Sequence, residues 1–229
     1  MRRTLSQPLP PLPAVLADGP LAGPRPRKRE RTRRNLITAA ARVYTARGVR
    51  RATIREIAAA AEMTPVTIYN HFRSEAEIVQ AVGIWIADTF CRRIVESYAD
   101  VARGAERMAI GCRRFLWLAE QSPPWALLIA DVAATTPALM EKIGHYVLAD
   151  LRLGLRQREF RAVGEAAALD LVSGAILQAM RRIASGRAPA GHSTAVATTI
   201  LRGLGLPPAR VRAILRRPLP AMPLARGEM

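Results

Sequence analysis

From about residue 74 onward the apolar positions of this chain recur at helical spacing, and no run alternates as a half-buried strand would. Ile78, Val82, Trp85, Ile86, Phe90, Ile94 and Tyr98 form one stripe and predict a long helix over residues 74–99. Met108, Cys112, Phe115, Leu116 and Leu118 predict a second from about residue 105, closed before Ser122-Pro123. A cap residue followed by proline opens a helix without stranding an amide, so Ser122-Pro123 and Thr136-Pro137 each mark a new start. The second of these predicts a helix through His145 to about residue 158. Helices over residues 165–184 and 193–204 follow, with a short terminal one after Pro207-Pro208. The breaks near Pro123, Pro137, Gly164 and Gly186 to Gly191 separate helices within one domain.

Upstream, two helix starts lie close together in the stretch TIREIAAAAEMTPVTIYNHF, residues 53–72. Thr53 and Glu56 satisfy the capping box, in which a threonine hydroxyl accepts an orphan amide and the acid three residues on reaches back. Ile54, Ile57, Ala58 and Ala61 then give a narrow apolar stripe, and its alanines allow close approach of another helix. Thr64-Pro65 is the next start, leaving Glu62 and Met63 for a tight turn. Two short helices in this register form a helix-turn-helix, whose second helix enters the major groove of DNA with its first residues facing base edges. Leu36, Val43, Ile54, Ile57, Ile68 and Phe72 are the expected core of this headpiece.

With RTRRNLITAAARVYTARGVR before it and RSEAEIVQAV after it, the segment resembles the DNA-binding domain of the TetR family of bacterial transcriptional repressors. The resemblance covers roughly residues 30–82, and the linked signals T-x-x-E-I-A, T-P-V-T-I-Y-N-H-F and S-x-x-E make it specific. It implies base contacts from Pro65, Val66 and Thr67, with Thr53, Tyr69 and His71 on phosphates and Thr64 and Asn70 in the same surface. The chemistry agrees. Pro65 and Val66 offer apolar contact, for instance to a thymine methyl; Thr67 can donate or accept; a phenol and an imidazole suit phosphate oxygens. This chain departs from the family at Glu75, where a phosphate-binding lysine is usual, and at Glu62, where glycine is common in the turn. Glu75 instead suits a helix N-terminus behind Ser74, where Glu77 is expected to close a further capping box.

Charge sharpens the picture at one place. The formal net charge is +17, and residues 25–34, RPRKRERTRR, set seven basic side chains against Glu30. As a disordered arm including Arg31, Arg33 and Arg34 this run would follow the duplex backbone or enter a minor groove; otherwise it is a solubilising tail. Six prolines among the first 24 residues forbid a regular helix, so a disordered tail is expected over residues 1–26. The prolines also interrupt any export-signal core after Arg2-Arg3, and no apolar run approaches the roughly 18 residues of a membrane span, pointing to a cytoplasmic, nucleoid-associated protein. Cys91 and Cys112 lack metal-ligand spacing, and His71, His145 and His192 lie far apart. No cofactor or metal is implied. An enzyme built on His145 or Cys112 is disfavoured, because no nucleophile and base stand at a recognisable spacing.

The expected whole is all-α with about nine or ten helices: a helix-turn-helix domain over residues 27–74, a helical effector-binding and dimerisation domain over 75–217, and a disordered tail over 218–229. For the second part the resemblance rests on helix count and order. It implies a homodimer through the helices at 165–184 and 193–204, a palindromic operator, and a small, largely apolar effector that releases the DNA. Ala168, Leu171, Val172, Ala175, Leu177, Ala179, Val196, Ile200 and Leu204 are the apolar and small residues suited to that packing. An effector pocket is expected from Trp85, Phe90, Phe115, Trp117, Trp125 and Tyr146, with His145 and Gln178, and Asp88, Glu120 and Asp131 as further polar candidates. The rival reading is a sequence-independent DNA-coating protein.

Overall fold

The computed structural model describes residues 9, 11–16, 27–161 and 164–222. Among these residues every regular element is helical: a 3-10 turn Ala14–Leu16, then α1 Lys28–Arg47, α2 Ile54–Ala60, α3 Pro65–Tyr69, α4 Glu75–Ser97, α5 Gly104–Gln121, α6 Pro123–Thr135, α7 Pro137–Arg156, α8 Glu165–Ala184, α9 His192–Gly203 and α10 Pro208–Leu215. The boundaries follow the proline and glycine punctuation within one or two residues.

α1 packs on α2 and α4, and α2 on α3, closing a small core. Leu36, Val43, Ile54, Ile57, Ile68 and Phe72 are all buried there, as the periodicity requires. α4 begins directly behind this headpiece and continues into the larger part, where it meets α5, α6 and α7. α5 lies at the centre of that part, against α6, α7, α8 and α9. Its first turn is held by the end of α7. Gln157 Oε1 accepts from Gly104 N at 2.9 Å, and Glu159 Oε2 accepts from Ala105 N at 3.1 Å while Arg103 pairs with the same carboxylate at 2.9 Å. The helices meet through glycine: a Cβ on Gly104 would stand 2.3 Å from Gly154 N. α7 stops at Arg156, short of the expected 158, because Arg158 turns to φ 58°.

Three expectations about the chain's flanks change. The basic run is no arm from residue 27 onward, since Glu30 Oε2 accepts from Arg27 N at 2.9 Å and α1 starts at Lys28; Arg25 lies outside the described residues. Residues 9 and 11–16 are docked. Apart from the 3-10 turn Ala14–Leu16 the segment is not helical, yet its backbone finds polar partners: Trp125 Nε1 donates to Pro11 O at 3.0 Å and Arg42 Nη2 to Leu9 O at 3.4 Å, while Leu16 is 1% exposed among the core residues. Residues 218–222 likewise return to α5, with Arg114 donating to Pro220 O and Leu219 and Met222 packed on the core. The rest of both expected tails falls outside the described residues.

Candidate nucleic-acid interface and effector cavity

The helix-turn-helix is set by its caps. Thr53 Oγ1 accepts from Glu56 N at 3.3 Å and Glu56 Oε2 accepts from Thr53 N at 3.0 Å, the reciprocal pair read from the sequence. α2 ends where Met63 N donates back to Ala58 O at 2.9 Å, a closure that puts Glu62 in the left-handed region at φ 57°. Thr64 Oγ1 accepts from Thr67 N at 3.3 Å, and the two threonine hydroxyls are 3.0 Å apart. α3 is only five residues long, so one buried side chain, Ile68, orients it. The opposite side is bare: Val66 is 68% and Tyr69 60% exposed, and Pro65 and Asn70 stand beside them in the solvent.

Behind α3, Arg33 stacks 4.2 Å over the Phe72 ring and pairs with Glu77 at 3.5 Å. Arg33 is therefore a bracket between α1, the end of the reading unit and α4, whereas Arg31 is exposed and Arg34 half-buried on α1. Glu77 also differs from the expected capping box: Ser74 Oγ accepts from Glu77 N, but the carboxylate returns to Arg73 N at 2.8 Å, one residue earlier. His71 is half-buried with Nδ1 unpartnered, and desolvation together with Arg29 and Arg33 holds its pKa below the ordinary value. The two arginines make its surroundings electropositive.

A cavity of about 60 Å³ opens between α4, α5, α7 and α8. Its wall includes Cys91, Met108, Cys112, Phe115, Met140 and Tyr146, and its polar groups are Tyr98, Asp150 and Ser173. Tyr98 Oη donates to Asp150 Oδ2 at 2.9 Å, and Asp150 is only 7% exposed. Burial pushes the Asp150 carboxyl up to about 6, against the smaller stabilising effects of Tyr98 and Arg107. Burial also pushes both thiols up to about 12, so they stay protonated.

Of the expected pocket residues, the structure brings Phe115 and Tyr146 to this cavity and takes the others elsewhere. Trp85 and Phe90 are core, Phe90 meeting Phe115 edge-on at 4.8 Å. Trp117 lies on the outer side of α5 beneath Arg114, and Trp125 is committed to Pro11. His145 and Gln178 are exposed on α7 and α8. Asp88 pairs with Lys142 at 2.6 Å, Glu120 accepts from Ser193, and Arg181 approaches Asp131 at 3.9 Å. Tyr98 and Asp150 were missed as a pair; each ends up inside only because α4 and α7 cross at that depth. Among the described residues no group of His, Cys, Asp and Glu could hold a metal ion.

Residues 36–82 match the family described as bacterial regulatory proteins, tetR family, and residues 103–217 match the tetracyclin repressor-like C-terminal domain, which alone takes in half of the chain. The chain belongs to the TetR family. Two curated TetR-type regulators of Pseudomonas putida, TtgR and the probable regulator ArpR, are each 37% identical over 93 residues. The match covers 39% of this chain and 40% of each relative, so the chain spans about two fifths of the length of the curated relatives it matches. Among solved structures, RolR in complex with resorcinol is similar over 86% of this chain and 98% of its own, with TM-score 0.70 and 25% identity. FadR from Bacillus subtilis in complex with stearoyl-CoA shares the fold, with TM-score 0.63 and 18% identity over 74% of this chain and 97% of its own. These relatives are regulators, not enzymes, and in this TetR chain no helix among the described residues is long and apolar enough to cross a membrane.

Proposed function

We propose that this chain is a repressor that binds a palindromic operator as a homodimer and leaves it when a small, largely apolar effector enters the α4–α5–α7–α8 cavity. The observation that carries the DNA reading is the bare outer side of α3, where an apolar Val66 and a tyrosine stand in solvent on a helix anchored by buried Ile68. In this reading Pro65, Val66 and Thr67 meet base edges, while Thr53, Thr64, Tyr69, Asn70 and His71 meet the phosphate backbone. Arg31 supplies a further phosphate contact from α1, and Arg33 sets the headpiece through Phe72 and Glu77.

Dimerisation uses α8 and α9. Ala168, Val172, Ala179, Ile200 and Leu204 are already buried within one protomer, and Leu177 lines the cavity, which leaves half-buried Leu171, Ala175 and Val196 for a partner. α4 links effector to operator. Its first residue follows Ser74 behind the reading helix and its later turns supply Cys91 and Ile94 to the cavity, so one rigid element of about 34 Å touches both sites. An effector that fits better when α4 is tilted shifts the population away from the operator-spaced state. That RolR, which shares the fold, is in complex with resorcinol supports a small ligand.

The test is selection of duplexes from a random library by the full-length protein, followed by affinity measurement of the enriched pool at several salt concentrations. A palindrome bound about 10³-fold or more tighter than random duplex supports the proposal. Equal affinity for all duplexes, falling steeply with salt, would replace it with the DNA-coating reading that the +17 charge favours.

A further inference from the structure

The structure assigns a ligand class to the cavity: we infer that it takes an uncharged single-ring compound bearing a hydroxyl, a phenol, whose O–H is donated to Asp150 beside Tyr98. The inference rests on the effector reading of the cavity and adds which chemistry is accepted and which refused.

The wall favours a ring. Phe115 and Tyr146 present aromatic surface, Met108 and Met140 adaptable thioethers, and the protonated thiols of Cys91 and Cys112 behave as small apolar groups. At about 60 Å³ the cavity is smaller than the roughly 150 Å³ that holds a benzene ring in an apolar core, so a single ring enters only as its flexible Met108 and Met140 side chains give way, and a long acyl chain is refused.

The polar end favours a donor. A carboxylate can accept about four hydrogen bonds, yet among the described residues Tyr98 is the only hydrogen-bond donor to Asp150. Ser173, arriving from α8, also lines the cavity, and its buried Oγ has no partner. A ring hydroxyl could donate to Asp150 and accept from Ser173, satisfying both groups.

The absence of cations excludes acids. Among the described residues no Lys, Arg or His lines the cavity and no ion pair reaches Asp150. Arg107 lies over the Tyr98 ring at 5.4 Å and donates to Val101 O at 2.5 Å, so it is engaged outside the cavity. A ligand carboxylate or phosphate would sit against Asp150 with only Arg107, whose effect is already smaller than the burial of Asp150, to offset the two negative charges. A hydroxyl, which donates and accepts, is compatible with either protonation state of a group whose burial pushes it up to about 6.

The experiment is calorimetric titration of the full-length protein, without DNA, with four ring compounds of similar size: phenol, toluene, benzoate and benzylamine. Phenol is expected to bind about 10- to 100-fold tighter than toluene, the worth of one hydrogen bond to a charged group, and benzoate is expected to be weakest. Asp150→Asn should bring phenol towards toluene and leave toluene unchanged; Ser173→Ala should weaken phenol alone by a smaller factor. Equal binding of phenol and toluene, benzoate or benzylamine binding tightest, or no binding by any of the four overturns the inference. If Asp150→Asn does not fold, the order of the four compounds on the unaltered protein decides. Release from the selected duplex is measured separately: phenol that binds in this order without weakening DNA binding upholds the ligand class and sinks the effector reading.

Discussion

Replacing Asp150 by asparagine should make the protein more stable at neutral pH, even though Asp150 is the best hydrogen-bonding group of the cavity. The ordinary aspartate value is 3.8 and burial pushes Asp150 up to about 6. A carboxyl raised in the folded state binds its proton more tightly there than in the unfolded chain. Its contribution is therefore fully present below about pH 4, is lost as pH rises towards 6, and stays lost above that. At about 1.4 kcal/mol per pH unit, the gap corresponds to about 3 kcal/mol. Asparagine cannot ionise and its carbonyl can still accept from Tyr98, so Asp150→Asn keeps the bond at 2.9 Å and escapes the loss. Urea denaturation followed by far-ultraviolet circular dichroism, at fixed protein concentration from pH 4 to 8, measures it. The variant should gain about 2–3 kcal/mol at pH 7.5, or roughly 6–10 °C in Tm for a chain of this size, and nothing at pH 4. Equal stabilities at pH 7.5, or a gain that persists undiminished to pH 4, would refute the assignment of Asp150 as a carboxylate strained by burial.

The backbone makes its own predictions. Glu62→Gly relieves a left-handed residue at φ 57° and should raise stability by about 1 kcal/mol, read from thermal unfolding. Gly104→Ala would drive a Cβ to 2.3 Å from Gly154 N, backbone against backbone, and should cost at least about 1–3 kcal/mol in urea denaturation. On the reading surface, Tyr69→Phe should weaken binding evenly across duplexes, whereas Val66→Ala should alter preference at one position of each half-site; competition binding against single-base variants separates the two.

The helix-turn-helix was legible because its determinants are local. Thr53 with Glu56, and Thr64 with Pro65, are caps that act within four residues, so spacing alone announces them. Helix boundaries further on were legible for the same reason, through Pro123, Pro137 and Pro208 at the starts. The cavity was not. Aromatic residues mark apolar volume without saying which face of a helix meets which neighbour, so Trp85 and Phe90 went to core while Tyr98 and Asp150, 52 residues apart, met at the crossing of α4 and α7. The flanks were misread because proline reports only that a segment is not helical. Whether the segment then docks depends on Trp125, Arg42 and the face of α4 that meets the Leu16 turn, none of which its own composition contains.

The docking of that segment has a consequence for how the chain is made. Pro11 and Trp125 are joined across 114 residues, so during synthesis the Pro11 segment can reach this partner only after α6 has emerged. The headpiece, whose contacts are local, has no such wait. Pro11 therefore remains open while the headpiece assembles, and its docking waits on α6.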